Sequence, residues 1–148
     1  MRYSNRPLPP YAFVPGKNPH PTRDPRGHSY GRDEPAVHLP PERWHEDGDY
    51  LYGIDLYEAR YFWEAHEAWE GIWKASPDAD QRDFLQGLIQ LAASRLKDRL
   101  GGERGRRTLL AAARSRLARV ALRHHFFMGL DLDVLLLTLE HRPSLQLG

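Results

Sequence analysis

Ten of the twelve prolines fall within residues 1–41, and that distribution decides most of what the chain can build. Each proline fixes φ and removes a backbone donor, so neither an α-helix nor a central strand can run through so dense a set. Residues 1–43 are therefore expected to form an extended arm. Tyr3, Tyr11, Phe13, Val14 and Tyr30 make it more apolar than a solvated linker needs, which predicts that part of it lies along the rest of the molecule. Within it, Pro19-His20-Pro21 and Gly27-His28-Ser29-Tyr30 place two histidines on either side of Asp24. These three could hold a metal, but a proline-locked loop imposes no ligand spacing, and docked or solvated histidines are the plainer expectation.

Helical periodicity begins once the prolines stop. It predicts a short turn over 42–46 and helices over 49–59, 61–75, 79–100, 103–123 and 132–139, with 143–148 as a tail. Asp47 or Asp49, Asp78 or Asp80, and Asp131 or Asp133 stand where helix N-termini want a capping acid. Connections this short favour antiparallel neighbours. The expected architecture is one all-α bundle of about five helices over residues 44–142, wrapped by the arm.

The stretch 61–75, Tyr-Phe-Trp-Glu-Ala-His-Glu-Ala-Trp-Glu-Gly-Ile-Trp-Lys-Ala, is unusual for a helix at a surface. Tyr61, Ala65, Ala68, Trp69 and Ile72 fall on one side, while His66, Glu67 and Glu70 fall on the other between Trp63 and Trp73. Burial on both sides is the expectation, and buried charges need partners. Gln86 and Gln90, four apart on the next helix, are the expected partners. The candidate site is therefore Glu64, His66, Glu67, Glu70, Gln86 and Gln90 with Trp63 and Trp73. Glu64 lies off the main stripe, where capping, pairing with a cation or facing solvent are equally open to it. Amides bond carboxylates and imidazoles well but ligate transition metals poorly, so a hydrogen-bonded network is expected and no metal; His66 and Glu70 are the residues that would hold one.

Net charge is +1 and there is no cysteine, which removes thiol chemistry, thiolate metal sites and any global pull toward nucleic acid or anionic membrane. The first residues contain no apolar signal core and no run is long enough to span a bilayer, so a soluble, unexported, cytoplasmic protein is expected. Charge is nevertheless uneven. Residues 47–75 carry seven acids against Arg60 and Lys74, and residues 101–125 carry seven arginines against Glu103. A basic helix complementing the acidic hairpin of its own domain is the expectation, and nucleic-acid binding through those arginines is the less favoured reading, since no aromatics interleave with them.

The stretch Phe62-Trp63-Glu64-Ala65-His66-Glu67-Ala68-Trp69-Glu70 with Trp73, followed by Arg82-Asp83-Phe84-Leu85-Gln86-Gly87-Leu88-Ile89-Gln90-Leu91-Ala92, resembles the DUF309 family of small bacterial and archaeal helical proteins. Tyr50-Leu51-Tyr52-Gly53-Ile54-Asp55-Leu56-Tyr57, Gly102-Glu103-Arg104-Gly105 and the arm with Pro-His-Pro and Gly-His-Ser-Tyr agree with it, over roughly residues 47–122. The resemblance implies a compact helical bundle and no particular activity. From the residues themselves, three functional classes stay open beside a purely structural polar network. One is a tetratricopeptide-like hairpin module that binds a peptide or assembles as a homo-oligomer. Another is an enzyme that binds a metal or small molecule. The third is the nucleic-acid reading. No cofactor fingerprint, nucleophile elbow or phosphate loop is present.

Overall fold

The computed structural model describes residues 2–32 and 35–148. A 3-10 turn (Pro41–Glu46) leads into α1 (Gly48–Glu58), α2 (Phe62–Ala75), α3 (Ala79–Arg99) and α4 (Glu103–Ala121). A two-residue hairpin, β1 (Phe126–Phe127) antiparallel to β2 (Leu130–Asp131), follows, then α5 (Leu132–Thr138) and a closing 3-10 turn (Leu139–His141). The all-α bundle is the one that periodicity predicts. The hairpin is an addition: only a turn around Gly129 was legible, because two-residue strands leave no alternation to read.

Three aspartates start helices by the same device. Asp47, Asp78 and Asp131 each accept a hydrogen bond from the backbone N–H three residues on, at Tyr50, Gln81 and Val134, satisfying donors that the first turn leaves unpaired. The α1–α2 corner is tighter, with Arg60 at φ 71° and Tyr61 N–H returning to the Leu56 carbonyl at 2.8 Å. At its floor Trp69 is fully buried and its indole N–H donates to the Tyr50 carbonyl at 3.3 Å. That approach needs Gly53, because a Cβ there would sit 2.2 Å from Trp69 Nε1. The core continues through Ile54, Leu56, Phe84, Leu88, Leu91 and Leu117, all buried between α1, α2, α3 and α4.

Packing α4 against α3 decides where its arginines go. Arg116 and Arg119 reach Asp83, Arg123 reaches Asp80, Arg106 and Arg107 pair with Glu103 of the first turn, and Arg114 pairs with Glu140. The basic helix thus complements acids of α3, of its own first turn and of the C-terminal turn. This corrects the expectation that it complements residues 47–75, whose acids are used elsewhere: Asp49, Asp55 and Glu64 by the arm, Glu58 by the C-terminal segment, and the others within the hairpin.

The arm runs along α1 and α2 and is held by groups that proline cannot supply for itself. Asp55 accepts the backbone N–H groups of Tyr3 and Ser4, both at 2.8 Å. The hydroxyls of Tyr52 and Tyr61 donate to the Pro7 and Pro9 carbonyls, also at 2.8 Å. Arg6 pairs with Asp49 at 2.7 Å. Phe13 is buried, edge-on to Trp63 with centroids 5.2 Å apart. The C-terminal segment docks too. Tyr57 donates to the Pro143 carbonyl, Leu145 is buried, and Glu58 accepts from Ser144 and from the Leu145 N–H. Burial pushes the Tyr57 hydroxyl up to about 12. No described helix is long and apolar enough to cross a membrane.

Candidate functional site

The stripe on α2 divides. Glu64 is enclosed, its side chain only 6% exposed, whereas His66, Glu67 and Glu70 are 27%, 50% and 31% exposed. His66 stands between the two acids, its Nε2 3.2 Å from Glu70 and its Nδ1 3.5 Å from Glu67, and Lys74 also pairs with Glu70. These three residues offer ligand atoms within 4.8 Å of one another on a half-wet ledge. Burial on both sides of α2 is therefore corrected. Trp63 and Trp73 are only partly buried, Trp63 packing on the arm and Trp73 under the Arg82 guanidinium, 4.5 Å from its ring.

Gln86 and Gln90 do not close this ledge. Among the described residues, neither hydrogen-bonds to His66, Glu67 or Glu70, and the Gln90 Oε1 is buried without a partner. Helix geometry explains the placement. Asp83, Gln86, Gln90 and Lys97 recur along one line of α3. Asp83 meets Arg116 of α4, and Lys97 packs against Gly105 of α4. The glutamines lie between them along this line, and neither side chain meets the ledge by a hydrogen bond.

The partners of Glu64 come from the arm. Its Oε2 accepts from His28 Nε2 at 2.7 Å and from the Phe13 N–H at 2.9 Å. The His28 side chain is 3% exposed. Its backbone N–H donates to the Tyr11 hydroxyl, whose ring lies 4.8 Å from the imidazole. A carboxylate only accepts, so Nε2 donates to Glu64, and in the neutral imidazole Nδ1 is then the acceptor for the Ser29 hydroxyl 2.7 Å away. The other oxygen of Glu64, Oε1, is buried and has no hydrogen-bond partner among the described residues.

This relay borders a chamber of about 430 Å³ between the arm and the α1–α2 hairpin. Its apolar wall comes from Leu8, Pro9, Tyr52 and Trp63, and its polar wall from Arg6, Thr22, His28, Ser29, Arg32 and Glu64. A mixed lining of this kind, with few convergent polar groups, is what small-molecule sites share. His20 and Asp24, grouped with His28 as a possible metal set, are elsewhere engaged. His20 Nδ1 accepts from the N–H groups of Thr22 and Arg23, and Asp24 pairs with Arg26, which holds its carboxyl below the usual range.

Ser29 and the pairing of His28 with Glu64 escaped the sequence reading. Thirty-six residues separate the pair, and no helical or strand period reaches from a proline arm to a helix. One signal was available: Glu64 falls between Phe62 and Ala65, on the edge of the face that α2 buries.

The fold and site define a small all-helical protein in which a proline-rich strap supplies half of an enclosed His–Glu pair. Residues 50–109 match the family model described as Domain of unknown function (DUF309), the family that the Trp-Glu-Ala-His-Glu and Gly-Leu-Ile-Gln stretches resemble. No curated protein and no solved structure matches the chain.

Proposed function

We propose that the chamber under the arm binds a small molecule and that His28 and Glu64 exchange a proton with it. The observation that carries this reading is Glu64 Oε1. A buried carboxylate oxygen without a donor is costly, and a ligand N–H or O–H placed in the adjoining chamber would complete its bonding. The imidazole on the other oxygen then serves as proton store, within reach of the same cavity. Candidate residues are Glu64 and His28 for proton transfer, with Trp63 and Tyr52 as the apolar floor.

His66, Glu67 and Glu70 take no part in this reading, since they are partly exposed and pair with one another and with Lys74, although His66 Nδ1 has no hydrogen-bond partner among the described residues. The tetratricopeptide-like reading gains no support either. Exposed large apolar residues such as Leu122, Phe126, Val134 and Leu137 belong to the end of α4, to β1 and to α5 rather than to the α1–α2 hairpin.

The test is a thermal-shift screen of metabolite-sized compounds against the native protein, Glu64→Gln and His66→Ala. A compound that raises the melting temperature of native protein and His66→Ala, but not of Glu64→Gln, is the expected result. Shifts retained in Glu64→Gln would place binding outside the chamber.

A further inference from the structure

We propose that Ser29 is a nucleophile and that Ser29, His28 and Glu64 form an acyl-transfer triad acting on small, uncharged carboxylic esters. The proposal deepens the reading of the chamber as a small-molecule site and rests on it. Three observations carry it. First, Ser29 Oγ lies 2.7 Å from His28 Nδ1, the ring nitrogen that accepts in the neutral imidazole. Second, the other nitrogen is held at 2.7 Å by a carboxylate, and both His28 and Glu64 are almost fully enclosed. Third, all three residues border the same chamber.

These are the roles that define a serine triad: nucleophile on base, base on orienting acid, and a cavity where the reacting carbon can sit. Here the two ring nitrogens exchange their usual partners, because Ser29 follows His28 directly in the chain and reaches the near nitrogen. The orienting acid comes from α2 and the other two residues from the arm, so the triad exists only while the arm is docked.

The chemistry closes on these groups. As Ser29 Oγ bonds to the ester carbonyl carbon, its proton passes to His28 Nδ1, and Glu64 stabilises the imidazolium through Nε2–H. The bond to the alkoxy group then breaks, and the leaving oxygen takes the proton from Nδ1, releasing an alcohol and leaving acyl-Ser29. Water attacks the acyl carbon, gives a proton to Nδ1, and the carboxylic acid departs as that proton returns to Ser29. The net reaction is ester plus water to acid plus alcohol. Charge on the carbonyl oxygen needs a donor. The Ser29 N–H is committed to the Pro21 carbonyl, so the donors facing the chamber are the side chains of Thr22 and Arg32.

The substrate class follows from the walls. The two cations Arg6 and Arg32 are set against three acids, Asp49, Glu64 and Glu67, so with a neutral imidazole the lining is slightly negative and offers no pull on an anion, and a volume of about 430 Å³ lies toward the small end for ligand sites. Short acyl esters whose alcohol part keeps a free hydroxyl or N–H for Glu64 Oε1 fit, their apolar part lying on the prolines, Tyr52 and Trp63.

The experiment incubates full-length protein with an alkyl fluorophosphonate, in which serine oxygen displaces fluoride at phosphorus, and reads adducts by intact mass and peptide mapping. One adduct on Ser29 is expected in native protein. None is expected in Ser29→Ala or in heat-unfolded protein, and labelling roughly 100-fold slower or more is expected in His28→Gln and Glu64→Gln. No adduct on folded native protein, an adduct at another residue, or an undiminished rate in His28→Gln each overturns the triad. Should His28→Gln fail to fold, the Glu64→Gln rate decides in its place. Ser29→Ala separates this proposal from binding alone: ligand-induced melting shifts that persist in Ser29→Ala, while native protein shows no adduct, keep the chamber as a binding site and remove the nucleophile.

Discussion

His28 Nε2 and Glu64 Oε2 stand 2.7 Å apart, joining the arm to the middle of α2 inside a space that admits almost no solvent. Glu64 also receives the Phe13 N–H, so one carboxylate anchors the arm at two points. Replacing Glu64 with alanine leaves a buried imidazole and a buried N–H without an acceptor, at about 1–3 kcal/mol for each orphaned group. Glu64→Ala should lower the denaturation midpoint and speed tryptic cleavage after Arg23 and Arg26 several-fold, with Glu64→Gln intermediate. Urea titration and timed proteolysis check both.

The contact of Gly53 with Trp69 predicts a second sensitive point. Gly53→Ala puts a methyl group 2.2 Å from the indole nitrogen, which must move and give up its bond to Tyr50. Overpacking of this kind costs about 1–3 kcal/mol. The expected signature is a lower melting temperature together with a changed tryptophan emission in the native baseline.

Asp47 carries a pH dependence of a definite sign. Burial pushes its carboxyl above the usual value of 3.8 although the Tyr50 N–H pulls the other way, and Oδ2 has no hydrogen-bond partner among the described residues. The folded protein therefore holds that proton more tightly than the unfolded chain. The stabilisation is complete below 3.8 and is lost as pH rises through the raised folded value. Asp47→Asn keeps the helix cap and removes the titration. The stability of native protein relative to Asp47→Asn should therefore fall as pH rises through that acid range, as measured by paired denaturation midpoints in a pH series.

The pairing of α4 arginines with Asp80, Asp83, Glu103 and Glu140 predicts the outcome of a nucleic-acid assay. Guanidiniums already committed release few counterions on meeting phosphate. Fluorescence anisotropy with duplex and single-stranded oligonucleotides at low salt should show no salt-dependent binding.

How far these features could be read beforehand depends on the range of the interaction. Asp47, Asp78 and Asp131 were legible as caps because an N-cap acts within three residues, and the faces of α3 and α4 because burial follows a fixed period. Gln86 and Gln90 were expected to bond the polar stripe of α2, and among the described residues no hydrogen bond joins them to it, since periodicity gives a residue's line on its helix but not its partner. Glu64 was named among the candidates and its partner was not, because a proline arm has no period to project.

The most direct measurement is of the imidazole proton. In 15N-histidine-labelled protein, the enclosed His28 Nε2–H held by Glu64 should give a downfield, slowly exchanging proton resonance that disappears in His28→Gln and is lost or shifted upfield in Glu64→Gln. A His28 ring proton that exchanges as fast as an exposed histidine's in native protein would contradict the enclosed pair on which the site depends.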